Sequence, residues 1–398
     1  MTGDYNTGME KFGLSNVLTE DLKRSGGKIF QVGGSVRDEL LGLDQSKSKD
    51  LDLMVVGMDM DTLNRVLSRH GKTDLVGKSF GVIKFKPVGW DDEPIDISVP
   101  RIDNKTGDGH TDFTVETGKH ITLEQDQLRR DFTCNSIAKD IETGELHDLS
   151  NDWTETLGQW DIEKKLLRMV SPNSMEDDPL RIFRAVQFSS RFDFEIEPNT
   201  MKNIRENVHR IKTVSKDRFL EEFRKLFFKS ERPSIGINLM KSTGILRELF
   251  PELDERFDSI DLDSIDDLAK DSFVVFLALF FEPVEDAEKI MKEFRFPNDD
   301  IQMVKDILDF LCFGLASDKQ LVQWNNDRKS KDVILDLLDD ILLILDLPTA
   351  SSRLSIMRFK GIPTKISELP VNGNDLLQKG FKGAEIGKEL RSLLLDRL

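Results

Sequence analysis

Residues 31–57 read QVGGSVRDELLGLDQSKSKDLDLMVVG. Two glycines stand just before Arg37 and Asp38, and Asp50 and Asp52 open a run as apolar as LMVV. A strand that leaves through Gly33-Gly34 lets its backbone come close to a phosphate. Neither the G-x-G-x-x-G of a dinucleotide turn nor the P-loop pattern is present. What the stretch offers is Gly33-Gly34-Ser35 at a helix start, with backbone N–H groups and a hydroxyl, and Arg37 one turn further in. Side chains alternate along a strand, so Asp50 and Asp52 project together, about 6.6 Å apart, while Leu51 and Leu53 serve the core. Carboxylates at the head of an apolar strand are costly unless something positive meets them. Mg²⁺ prefers carboxylate and phosphate oxygens. Asp96, in IDISV, alternates against Ile95, Ile97 and Val99 and is the third candidate. Three such carboxylates suit an in-line displacement at phosphorus; the plainer alternative is three aspartates facing solvent.

Outward from this stretch, KIFQVGG (28–34) reads as a strand entering a tight turn, and SVRDELLG as a short helix stopped by Gly42. DLDLMVVG is a second strand, and MDTLNRVLSRHG a helix with Leu63, Val66 and Leu67 at helical spacing. GVIKFKP and PIDISVP are further strands, each closed by proline. The mixture ends near GELHDLSNDW, after which long helical periodicities dominate and strand signals almost vanish. The reading is an α/β head, a small mixed sheet with helices, over 1–155. Helical segments follow over 156–250, and a helical body and tail over 251–398.

The 398 residues suffice for two or three domains, and 38% hydrophobic with 32% charged residues is ordinary for a globular chain. Cys134 and Cys312 make no disulfide framework, and no apolar run approaches the roughly 18 residues of a membrane span. The first residues lack a signal-peptide pattern, so a reducing, cytoplasmic setting is expected. A net charge of −17 argues against nucleic acid until its distribution is considered. Residues 251–346 carry −15, whereas 201–232 carry +5 and 347–398 carry +4. Phosphate backbones respond to local basic surface, so RNA stays open; ordinary solvated helix faces are the alternative.

GGSVRDELLG…DLDLMVV resembles the head motif of the tRNA nucleotidyltransferase/poly(A) polymerase family, class II of the polymerase-β nucleotidyltransferase superfamily. LRRDFTCNSIA (128–138), EDDPLRIFRAVQF (176–188) and VSKDRFLEEFRKLF (214–227) resemble its later motifs in order, and NGNDLLQKGFKGAEIGKELRSLL its C-terminal segment. The resemblance implies a nucleotidyltransferase head, a neck that recognises the nucleobase, and a tail that holds tRNA. It also implies that Asp50 and Asp52 bind Mg²⁺ and activate an RNA 3′-hydroxyl. Gly33, Gly34, Ser35 and Arg37 would hold the triphosphate, and Arg130, Asp131 and Asn135 the sugar and phosphate. Asp178 and Arg181 would read the base, with Arg184 on the same helix and Arg218 on the neck helix as further nucleotide contacts. A carboxylate accepts from the exocyclic amine of C or A, and U and G present a carbonyl there. Asp178 followed by Pro179 also suits a simple helix start. Departures are Ser136 for the usual Ala, Asp177 for Glu, Gln187 for Arg, and a longer LDQSKSK loop. The polar segment 101–119 stands where the family has a mobile loop for switching from C to A.

The expectation is therefore template-independent, Mg²⁺-dependent addition of the 3′-CCA of tRNA from CTP and ATP, with release of pyrophosphate. The alternatives are a poly(A) polymerase, an enzyme adding only CC or only A, and a catalytically silent RNA binder.

Overall fold

The computed structural model describes residues 14–43, 52–76, 81–91, 93–105, 113–151, 155–260, 262–266, 273–282, 284–312, 322, 350–360 and 362–396. They form two compact units, Met1–Ser215 with Ser242–Leu249, and Lys216–Lys241 with Phe250–Leu398. The change of texture near residue 155 thus falls inside the first unit.

The first unit begins with α1 (Asn16–Arg24), β1 (Lys28–Val32), α2 (Gly34–Leu40), β2 (Asp52–Val56) and α3 (Met60–Leu67). Strands β3 (Gly71–Val76), β4 (Val82–Pro87) and β5 (Ile95–Ser98) follow, then β6 (Arg101–Lys105) and β7 (Phe113–Thr117). After α4 (Leu123–Leu128) come β8 (Ala138–Asp140) and β9 (Leu146–His147). Seven of these strands make one sheet, ordered β3-β4-β5-β2-β1-β8-β9, antiparallel except where β2 runs parallel to β5.

The period-2 pattern sorts the two faces of that sheet. Ile29, Leu53, Val55, Ile83, Phe85, Ile95 and Ile97 pack with Leu18 and Leu22 of α1 and with Leu63, Val66 and Leu67 of α3. Phe30, Val32, Met54 and Ala138 form a smaller cluster on the other face. That second face is where alternation puts Asp52, Lys84 and Asp96.

Three features depart from the sequence reading. Helix α1, capped by Ser15, and strand β3 were not anticipated. The segment read as a loop over 101–119 is a hairpin at its flanks, Arg101 opposite Thr117 through Lys105 opposite Phe113. Residues 106–112 lie outside the described residues. Beyond 155, Leu166–Leu167 and Glu195–Ile196 form a two-residue parallel pair within the helical region.

After α5 (Leu157–Glu163) come α6 (Ser174–Asp177) and α7 (Leu180–Phe192). Pro179 caps the start of α7, and Asp193 ends it in the left-handed region at φ 54°. Leu180, Ile182, Phe183, Ala185 and Val186 are its buried side.

The second unit is helical throughout its described residues and built on phenylalanine. Phe223, on Lys216–Lys229, has its ring within 5.8 Å of those of Phe219, Phe276 and Phe280. The helix Phe273–Phe281 is buried on every side, as its unbroken apolar sequence requires. Within the acidic block 251–346, residues 313–321 and 323–346 lie outside the described residues. No helix among the described residues is long and apolar enough to cross a membrane.

Candidate active site

Gly33 holds φ 76° and ψ −143°, a conformation that only glycine adopts without strain. A Cβ there would stand 3.4 Å from Arg130 Nη1 and 3.5 Å from Asp52 Oδ2. The turn after β1 thus faces a carboxylate on one side and a guanidinium on the other. Asp52 lies in parallel register with Asp96, whose own antiparallel neighbour is Lys84. Lys84 Nζ donates to Asp96 Oδ1 at 3.0 Å. The carboxylate expected as a third catalytic group is therefore ion-paired. Asp50 lies outside the described residues. Oxygen-only donors beside an open glycine suit a hard cation and a phosphate. Among the described residues, no three His, Cys, Asp or Glu converge as a metal cluster.

Ser35 and Arg37 sit inward. Ser35 Oγ donates to Val32 O at 3.2 Å. Arg37, 3% exposed, donates from Nε to Asp38 Oδ1 at 2.7 Å and from Nη1 to Asn135 Oδ1. Both side chains thus bond within the turn and to the segment behind it.

The end of α4 and the segment after it form an ionic frame. Asp126 is fully buried and accepts from Arg129 Nε at 2.9 Å and Arg130 Nε at 3.1 Å. Burial opposes its ionisation, but the charges of Arg130 and Arg129 outweigh it and hold the carboxyl below its ordinary range. These bonds aim Arg130 at the Gly33 turn. Asp126 was missed in the sequence, although an Asp three and four residues before two Arg is a recognisable ion-pair spacing.

Asp131 is turned into the fold. Its Oδ1 accepts from Asn135 Nδ2 at 3.0 Å, and its Oδ2 from Arg184 Nε at 2.9 Å and Nη2 at 2.7 Å. Burial pushes its carboxyl up, yet the charge of Arg184 and the Asn135 hydrogen bond bring it down to about 2. Asp131, Asn135, Arg184 and Arg37 thus form one hydrogen-bonded chain joining the head to α7.

Asp178 and Arg181 stand where α6 gives way to α7. Asp178 is half-buried, and its Oδ1 accepts from Leu180 N at 3.2 Å, a local helix-start contact. Arg181 Nη1 donates to Ser174 Oγ at 3.0 Å and Ser174 O at 3.2 Å, and Nη2 to Arg129 O at 2.5 Å. The guanidinium plane is fixed before any ligand arrives. Arg218 belongs to the second unit, on Lys216–Lys229.

Residues 29–168 match the family model described as the poly A polymerase head domain. Residues 193–257 match the one described as a probable RNA and SrmB-binding site of polymerase A. A multifunctional CCA protein of Xanthomonas campestris pv. campestris (strain B100) is 34% identical over 232 residues, covering 57% of this chain and 52% of that protein. A CCA-adding enzyme of Blochmanniella pennsylvanica is 33% identical, over 58% of this chain and 52% of its own length. The chain spans about half the length of the curated relatives it matches. The fold is similar to that of the Bacillus stearothermophilus CCA-adding enzyme in complex with CTP, with a TM-score of 0.72 at 22% identity, covering 98% of this chain and 92% of that one. It is also similar to that of the Thermotoga maritima CCA-adding enzyme complexed with tRNA, with a TM-score of 0.62 at 21% identity, covering 96% and 90%.

Proposed function

From the matches of residues 29–168 and 193–257 to the poly A polymerase head and RNA-binding models, we propose that the chain belongs to that family and adds or repairs the 3′-CCA of tRNA from CTP and ATP. One observation carries the reading: Asp52 Oδ2 and Arg130 Nη1 flank the open α-carbon of Gly33. That is the arrangement needed to hold a nucleoside triphosphate by its phosphates beside a carboxylate. The relatives and neighbours of similar fold, named for CCA addition and for CTP and tRNA, support the same substrates.

In this mechanism the RNA 3′-oxygen attacks the α-phosphate, and pyrophosphate leaves in line. Asp52, with Asp50, would hold Mg²⁺, which polarises phosphorus and eases loss of the hydroxyl proton. Arg130 and the Gly33-Gly34 backbone bind the triphosphate. Asp131, Asn135 and Arg184 keep Arg37 and the turn in place. Asp178 accepts from the exocyclic amine of C or A, while Arg181 donates to the neighbouring ring acceptors. A base with a carbonyl there leaves Asp178 facing an acceptor, which is how polar sites refuse a partner strongly. A reducing, cytoplasmic setting belongs to the same proposal, in keeping with Cys134, a buried free thiol.

The test is extension of a tRNA transcript lacking its last three nucleotides, with each triphosphate singly and with CTP plus ATP, in Mg²⁺. Two C followed by one A is the expected product. A long A tail without use of CTP makes the protein a poly(A) polymerase, the reading favoured by the description of its head domain alone. Bound tRNA with no product leaves an RNA binder.

A further inference from the structure

Helix α7 is fastened to the head at two levels. Near its middle, Arg184 grips Asp131. One and two turns later, the Arg37 guanidinium lies over the two rings on that side of the helix, 5.2 Å from the centroid of Phe188 and 4.3 Å from that of Phe192. Those rings are stacked on each other at 5.8 Å. Arg184 lies 4.9 Å from the Phe188 centroid and Arg191 4.5 Å from that of Phe192. Asp38 joins the assembly from below, accepting from Arg37 and pairing with Arg191 Nη2 at 3.5 Å. Phe188 also meets Phe132 edge-on, at 5.8 Å.

A guanidinium over an aromatic face gains electrostatic attraction that grows as water is excluded, and Arg37 is almost wholly buried. The two fastenings are eight residues apart, about 12 Å along the helix axis. Held at both, α7 can neither slide nor roll relative to the Gly33 turn. Its first turn carries Arg181, and Asp178 immediately precedes it. We propose that Phe192 is a positioning residue for nucleotide selection: its contact with Arg37 sets where Asp178 and Arg181 stand relative to the bound triphosphate. This rests on the reading of Asp178 and Arg181 as base readers. Phe192 acts through the helix, and Arg37 reaches the base readers through Phe192.

The experiment compares the wild type, Phe192→Leu, Phe192→Tyr and Arg37→Lys for kcat/KM with CTP and with UTP on tRNA lacking its CCA, alongside melting curves. Phe192→Leu keeps apolar bulk and loses the ring face; Arg37→Lys keeps charge and loses the plane. The expected result is at least about a tenfold fall in preference for CTP over UTP in both, since ångström-scale misplacement of recognising groups is worth up to about a hundredfold. Phe192→Tyr should restore the preference. A lower melting temperature or active fraction with unchanged preference overturns the inference and leaves the stack merely structural. If Phe192→Leu does not fold, Arg37→Lys and Phe192→Tyr decide by the same ratio. A wild type that transfers no nucleotide, or does not discriminate, overturns the base-reading premise instead, and the wild-type measurement alone reveals it.

Discussion

Asp131 carries a negative charge where water hardly reaches, and its carboxyl is held at about 2 because the charge of Arg184 and the hydrogen bond from Asn135 outweigh burial. A folded-state pKa below the ordinary 3.8 means that the ionised form stabilises the fold above pH 4. The contribution, about 2 kcal/mol, is lost as pH falls through 2. Urea unfolding of the wild type and Asp131→Asn should show the full stability gap at pH 6, narrowing between pH 4 and 2. A gap that stays constant would mean the carboxylate's charge is not what matters. Asp52 behaves differently. It is exposed at the mouth of β2, so Asp52→Ala should cut turnover more than about a hundredfold while leaving the melting temperature nearly unchanged. Near-normal turnover in single-nucleotide extension removes it from the mechanism. The faces taken by Asp52 and Asp96 were legible from alternation, because Leu53, Ile95 and Ile97 had to enter the core. The Lys84–Asp96 pair was not, since it depends on the register of β4 against β5, which no local pattern encodes. Nor was the burial of Arg37: an arginine one turn into a helix looks the same in sequence whether it faces a phosphate or a phenylalanine.

The turn between β1 and α2 shows what a single element contributes. Gly33→Ala places a side chain at φ 76°, ψ −143°, a strain of about 1–3 kcal/mol. It also sets a methyl between Asp52 and Arg130, at 3.5 and 3.4 Å. Two effects should follow and can be separated. Calorimetry should register the strain as a lower melting temperature. Nucleotide affinity, measured below that transition, should fall further than the loss of folded protein explains. Equal losses would show that the turn is a hinge of the fold and not a wall of the site. Elements with strong periodicity, β1, β2, α3 and β5, were readable. Strand β3, GKTDLV, lacks alternation because it is an edge strand paired only with β4. The hairpin β6–β7 reads as loop because Asp103, Asn104 and Glu116 are poor strand signals, and backbone pairing across seven intervening residues supplies what propensity does not.

Across the whole chain the puzzle is electrostatic: a net charge of −17 on a protein proposed to hold RNA. The segments 201–232 and 347–398 carry +5 and +4, while the acidic excess is concentrated in 251–346. Part of that basic charge is already paired: Lys212 with Glu248, Arg224 with Asp300, Arg358 with Glu368. In each pair the cation is more exposed than its carboxylate, so phosphates can compete for it from the solvent side. Bulk charge sets long-range repulsion, but contact affinity depends on how many phosphates meet local cations and release their counterions. If about six do so, tRNA affinity should fall about a thousandfold between 50 and 200 mM salt. Filter binding across that range gives the slope, and a charge reversal such as Lys202→Glu, at an exposed position in the first basic segment, should flatten it by about one phosphate. A salt-independent affinity would mean that bases and shape, not the backbone, hold the RNA. The two basic segments would then be ordinary helix surface, as their composition alone allowed.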